Sequence, residues 1–159
     1  IFYLLTVKGN IQFTKMIKKG EELNNCYVFE DFIDGIPKYV FDIWDGEGTI
    51  KFKNHTLTLV PNSSSVWLEV ITEKFSVEKF KYIKVVFNGS LMMIRYRINN
   101  TDSDNLYAGP TTLHFNTESS ETIKTLKIPI KKEFGKYIYH IGFLAGHDPL
   151  NIYEISFCL

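Results

Sequence analysis

Residues 82–100 read YIKVVFNGSLMMIRYRINN, and the way this run divides decides the architecture. Successive side chains of a β-strand point to opposite faces. Met92, Ile94, Tyr96 and Ile98 therefore share one apolar face, while Met93, Arg95, Arg97 and Asn99 share the other. The same alternation buries Ile83, Val85 and Phe87 and turns Tyr82, Lys84 and Val86 outward. Asn-Gly between two alternating apolar runs is the strongest short hairpin signal. Asn88, Gly89 and Ser90 are thus expected to turn one strand back on the next, leaving Arg95 and Arg97 side by side on an outer face.

The surrounding chain repeats this rhythm. In KYVFDIW, Tyr39, Phe41 and Ile43 alternate with Val40, Asp42 and Trp44, and TIKFKNHTLTLV predicts a hairpin turning at Asn54 and His55. VWLEVIT turns Val66, Leu68 and Val70 inward and Trp67 and Glu69 outward. Beyond a polar loop over residues 99–110 come TTLHFNT, TIKTLKIPI, KYIYHIGFLAG and NIYEISFCL. In YIYHIGF the more apolar face holds Tyr137, Tyr139, Ile141 and Phe143, which sends His140 outward. About ten short alternating runs separated by turn chemistry predict an all-β fold, a two-sheet sandwich or a barrel. Helix is limited to a turn or two, with SVEKF as the nominee, and no fixed-period repeat is present.

Residues 1–24 differ from the rest and read as an N-terminal extension or first packing element; the spacing of Phe13, Met16 and Ile17 predicts a short helix ending near Gly20. The β-domain occupies residues 25–159. A chain of 159 residues suffices for one domain with one sizeable core. Hydrophobic residues make up 45% and aromatic residues 15%, a bias toward side chains that suit pleated, half-buried surfaces. Because the chain opens on Ile1, it reads as an excised or processed piece of a larger protein.

Eighteen basic residues balance eighteen acidic ones, so no overall field favours nucleic acid or an anionic membrane. No apolar run approaches the roughly 18 to 20 residues that a membrane-spanning helix needs, so neither nucleic acid nor membrane insertion is expected of this chain.

Cys26 and Cys158 are the only cysteines. One begins the first good strand and the other ends the last. If those strands are neighbours, a disulfide closing nearly the whole domain is geometrically possible, contributing about 4 to 5 kcal/mol; the alternative is a pair of buried, reduced thiols. Asn54, Asn62, Asn88 and Asn99 each begin an Asn-x-Ser/Thr triplet. These modestly favour an extracellular or cell-envelope location.

Catalytic signatures are missing. The chain has no Gly-rich phosphate loop, no Gly-x-Ser-x-Gly elbow, no His-Glu-x-x-His and no Cys-x-x-Cys. His55, His114, His140 and His147 fall on different elements, and Asp148 beside His147 suits a turn. A hydrolase would need two carboxylates at a set separation. Glu47, Glu69 and Glu154 have none that sequence defines, so the chain is read as a non-enzyme.

Sugar binding asks for flat rings against C–H faces and for nearby groups that bond hydroxyls in fixed directions. If the outward positions belong to one sheet, Trp67, Glu69, Tyr82, Lys84, Arg95, Arg97 and His140 make a polar surface with two rings. That surface suits a carbohydrate, particularly one with an acidic group for Arg to grip. Trp44 and Tyr107, beside Gly-containing loops, are separate aromatic nominees. The plainer reading is a solvated sheet face whose long basic side chains cover apolar surface.

FEDFIDG near the start, FKYIKVVFNG followed by MMIRYRI, and a closing YIYHIGFLAGHDPLNIYEISF together resemble the galactose-binding-domain-like jelly rolls, which include many carbohydrate-binding modules. The resemblance spans Cys26 to Leu159. It implies an antiparallel jelly-roll β-sandwich of two sheets whose first and last strands are adjacent, which would bring Cys26 near Cys158. It also implies binding of an oligosaccharide or polysaccharide on a sheet face or in edge loops. A structural calcium is implied as well, for which Glu30, Asp31 and Glu154 are the nearest matches. The function so implied is a non-catalytic carbohydrate-binding module attached to other domains of a larger protein. A structural or protein-interaction sandwich is the alternative, and a small glycan-active hydrolase comes third.

Overall fold

The computed structural model describes residues 25–100, 111–116 and 119–159, without the side chains at positions 71 and 73. The expected helix before Gly20 and the nominated Tyr107 lie outside the described residues.

Two long strands organise the fold. β6 (Tyr82–Asn99) and β9 (Tyr137–Cys158) pair antiparallel from Tyr82 opposite Cys158 to Asn99 opposite Tyr137. The other strands are β1 (Cys26–Glu30), β2 (Val40–Asp45), β3 (Gly48–Lys53), β4 (Thr56–Pro61), β5 (Val66–Ser76), β7 (Thr111–Phe115) and β8 (Ser119–Pro129). They attach to the β6/β9 ribbon in two groups. Around the first half of β9 and the second half of β6 the order is β2-β5-β9-β6-β7. Around the opposite halves it is β3-β4-β9-β6-β8, with β1 on the β9 edge beyond β4.

The expected antiparallel two-sheet sandwich is thus present, with a ribbon common to both sheets. The Asn-Gly signal has a different use from the hairpin predicted for it: Asn88, Gly89 and Ser90 lie inside β6, where the register slips between Gly89 and Leu91 and again between Leu91 and Met93. Gly89 has φ +88°, and a Cβ there would stand 2.0 Å from the Pro149 carbonyl oxygen of β9. Only glycine tolerates both conditions. The slips act as β-bulges, bending the ribbon from one sheet into the other.

The bend also corrects the expected place of Met92, which is 47% exposed because the adjacent irregularity turns it away from Ile94, Tyr96 and Ile98. SVEKF forms a turn; among the described residues the short 3-10 helices lie at Ile33–Gly35 and Lys132–Phe134 instead. The Asn54-His55 hairpin forms as expected, with Lys53 opposite Thr56.

Inner residues of both sheets merge into one core. Leu68, Val70, Ile94, Ile141 and Phe143 come from the first sheet, and Leu57, Leu59, Val85, Ile152 and Phe157 from the second. Tyr96, fully buried, ties them together: its hydroxyl donates to the Pro129 carbonyl and accepts from the Lys131 N–H, both at 2.9 Å. Burial pushes its phenol above the usual range.

β1 lies against the end of β9 with Cys26 opposite Cys158, and the two form a disulfide across a sequence separation of 132. β1 and β9, the first and last strands among the described residues, are adjacent, as the resemblance implied.

Candidate functional site

The outer face of the β2-β5-β9-β6-β7 sheet can be followed in rows across the strands. One row runs Trp67, Leu144, Met93, Phe115, and the next runs Asp42, Glu69, Gly142, Arg95, Leu113. A third sets His140 opposite Arg97 and Arg97 opposite Thr111. Period-two alternation places these side chains on one face, so Trp67, Glu69, Arg95, Arg97 and His140 are brought together.

Trp44, at the end of β2, joins them. Its ring centroid lies 5.6 Å from that of Trp67 and 6.2 Å from the His140 ring. The Arg95 guanidinium carbon is 3.6 Å from the Trp44 centroid and 5.3 Å from the Trp67 centroid. Gly142 makes this reach possible. A Cβ at that position would meet Arg95 Cγ at 3.2 Å and Nε at 3.5 Å, so a bare backbone on β9 lets Arg95 lie across the strand toward the indoles. The signal for Gly142 was in the sequence, since a glycine inside a strand pattern marks close approach of another group.

His140 Nε2 lies 2.9 Å from Glu69 Oε2, while its Nδ1 is buried with no hydrogen-bond partner among the described residues. Burial holds the imidazole below its ordinary value. The hydrogen-bonded Glu69 opposes that shift, and the Arg95 and Arg97 charges add to it. Burial, and then the Arg97 charge, also lower the Arg95 value. Arg97 hydrogen-bonds Tyr139, whose phenol burial pushes upward.

Tyr82 and Lys84 do not share this surface. They lie on the far side of the bend, in the part of β6 paired with β8 and with the end of β9. There Lys84 Nζ forms an ion pair at 2.8 Å with Glu154.

The carboxylates nominated for calcium do not form a ligand set, although Glu30 stands opposite Ile155, beside Glu154. Glu30 is fully buried, and its side chain accepts the backbone N–H groups of Asp31 and Phe32 on one oxygen and of Lys38 and Tyr39 on the other. Two carboxylate oxygens offer about four lone-pair sites, and these four donors take them. Asp31 pairs with Lys38 at 3.5 Å, and Glu154 accepts from Ser156 in addition to Lys84. Calcium asks for six to eight oxygens; among the described residues no group of three or more His, Cys, Asp or Glu side chains is placed to hold a metal. Glu30 instead fastens the segment between β1 and β2, a structural role that its sequence context did not reveal.

No protein-family model matches the chain, and no curated protein sequence matches it. Solved structures do. A family 29 carbohydrate-binding module aligns over 83% of this chain and 86% of its own, with TM-score 0.56 and 14% identity. A variant of such a module complexed with cellulohexaose gives the same score and identity over 83% of this chain and 89% of its own. Another, complexed with mannohexaose, aligns at 13% identity and TM-score 0.56. At these identities the likeness establishes the fold, which is the jelly-roll type of sandwich.

Proposed function

We propose that this chain is a non-catalytic carbohydrate-binding module that receives a glycan on the outer face of the β2-β5-β9-β6-β7 sheet. The observation that carries the reading is the convergence of the chain's only two tryptophans, Trp44 and Trp67, 5.6 Å apart on that face beside Arg95, Glu69 and His140. Indole faces stack on sugar C–H surfaces, while guanidinium, carboxylate and imidazole groups direct hydroxyls. Structures of the same fold are described as complexed with cellulohexaose and mannohexaose, which supports an oligosaccharide as the ligand class.

A binding role without catalysis accords with the carboxylates on the face. Glu69 is engaged by His140, and one oxygen of Asp42 accepts the Ile43 N–H at 2.8 Å. The Cys26–Cys158 disulfide supports an extracellular or cell-envelope setting, because disulfides persist in oxidising compartments. No helix among the described residues is long and apolar enough to cross a membrane. A module of this kind serves other domains of a larger protein.

A glycan array followed by calorimetry tests the proposal. Binding of at least one oligosaccharide, weakened tenfold or more by Trp67→Ala in a protein that still folds, is expected. An array blank across neutral and acidic glycans would instead leave a structural or protein-interaction sandwich.

A further inference from the structure

Row by row, the outer face of the first sheet divides into an apolar stripe and, beside it, rows of mixed charge in which Asp42 and Glu69 stand on β2 and β5 and Arg95 and Arg97 on β6. Trp67, Leu144, Met93 and Phe115 lie in register across four strands, and Phe115 and Leu113 on the edge strand are 64% and 48% exposed. Strand spacing of about 4.8 Å makes this stripe roughly 14 Å long. Beside it stand Arg95 and Arg97. Among the described residues no carboxylate forms an ion pair with Arg95, and its contacts are the faces of Trp44 and Trp67.

Stacking occupies the plane of a guanidinium, while its N–H bonds point outward within that plane. Arg95 Nε is covered, which leaves the paired terminal amino groups as the fork that meets a ligand. Paired donors of this kind match the two oxygens of a carboxylate. Arg97, the next outward residue along β6, adds a second positive charge to this side of the face. The acids on this face have hydrogen-bond partners of their own, Glu69 at 2.9 Å from His140 and Asp42 and Asp45 on the N–H groups of Ile43 and Gly46, although Glu69, across Gly142, also acts on Arg95.

We propose that the glycan is acidic: a chain containing uronic acid, laid across the strands with sugar faces on the Trp67-to-Phe115 stripe and a carboxylate on the Arg95 fork. This rests on the carbohydrate-binding reading and names the ligand class of the same face. It differs from the neutral hexasaccharides described with the similar folds.

Calorimetry with four probes tests it: mannohexaose, cellulohexaose, a hexamer of uronic acids, and a sulfated neutral hexamer. The uronate should bind at least tenfold more tightly than either neutral sugar, and its affinity should fall as salt rises. Arg95→Lys, which keeps the charge without the fork, should remove most of that preference. Phe115→Ala, at an exposed edge position, should weaken the uronate severalfold with an unchanged melting temperature. Neutral sugars binding as tightly as the uronate would overturn this inference and leave the carbohydrate-binding reading standing. A sulfated hexamer preferred over the uronate would overturn the carboxylate assignment, and no binding to any probe would remove both readings.

Discussion

Arg95 stacks on Trp44 with 3.6 Å between its guanidinium carbon and the ring centroid, although β5 and β9 separate the strands that carry them. The contact depends on Gly142 beneath the arginine. Gly142→Ala places a methyl 3.2 Å from Arg95 Cγ and should lift the guanidinium off the indole. A desolvated cation–π contact is worth about 1 to 2 kcal/mol, so urea denaturation should register a loss of about 1 kcal/mol. Tryptophan emission should shift in the folded variant, and an unchanged spectrum would argue that Arg95 does not depend on Gly142.

Glu30 is a structural anchor. Glu30→Ala strands four backbone donors that its buried carboxylate now satisfies, and losing bonds to a charged group in a buried site should cost about 3 kcal/mol or more. Calcium and EDTA should leave the wild-type melting temperature unchanged. A rise with calcium, as mass action requires of a ligand held by the folded state alone, would contradict this assignment.

The disulfide joins residues 132 apart in sequence. Closing a loop of that size restricts the unfolded chain and stabilises the fold by about 4 to 5 kcal/mol. Reduction, or replacing both cysteines by serine, should lower the denaturation midpoint accordingly. Equal midpoints for the oxidised and reduced protein would show that the cross-link does not constrain the unfolded chain.

His140 couples stability to pH. Burial lowers its proton affinity from the ordinary 6.5, against the pull of Glu69. The unfolded chain therefore takes up a proton at a pH where the folded chain resists it. This contribution to stability is complete above about pH 6.5 and declines as pH falls through that value. The melting temperature of the wild type should drop more between pH 8 and pH 5 than that of His140→Gln, in which the side chain carries no titrating proton. Parallel slopes would exclude His140 as the source.

Much of this was legible in the sequence because period two is a local property. The outward set of Trp67, Glu69, Arg95, Arg97 and His140 follows from alternation alone, as does the inward set around Ile94 and Ile141, but at the start of β9 a register slip puts Ile138 in the core in place of Tyr139, which hydrogen-bonds Arg97. What was not legible depends on distant partners. Asn88-Gly89 reads as a hairpin in isolation, and Pro149, far along the chain, makes it a bend. That bend separates Tyr82 and Lys84 from Arg95 on the same strand and turns Met92 outward. Trp44 was visible as an aromatic beside a Gly-containing loop, but its place in the stack required the β2-to-β5 register. Glu30 was expected only as a calcium match, because the four amides that its carboxylate accepts belong to a segment whose path the local sequence does not define.

The site contains both tryptophans of the chain, so intrinsic fluorescence reports on it without a label. The most direct test is to titrate a glycan selected on the array while tryptophan emission and calorimetric heat are followed together. A saturable change in emission with the same midpoint as the heat, abolished by Trp67→Ala and retained in Lys84→Ala on the opposite sheet, is the expected result. Calorimetric binding with unaltered emission would place the ligand elsewhere on the molecule and contradict the assignment of the face.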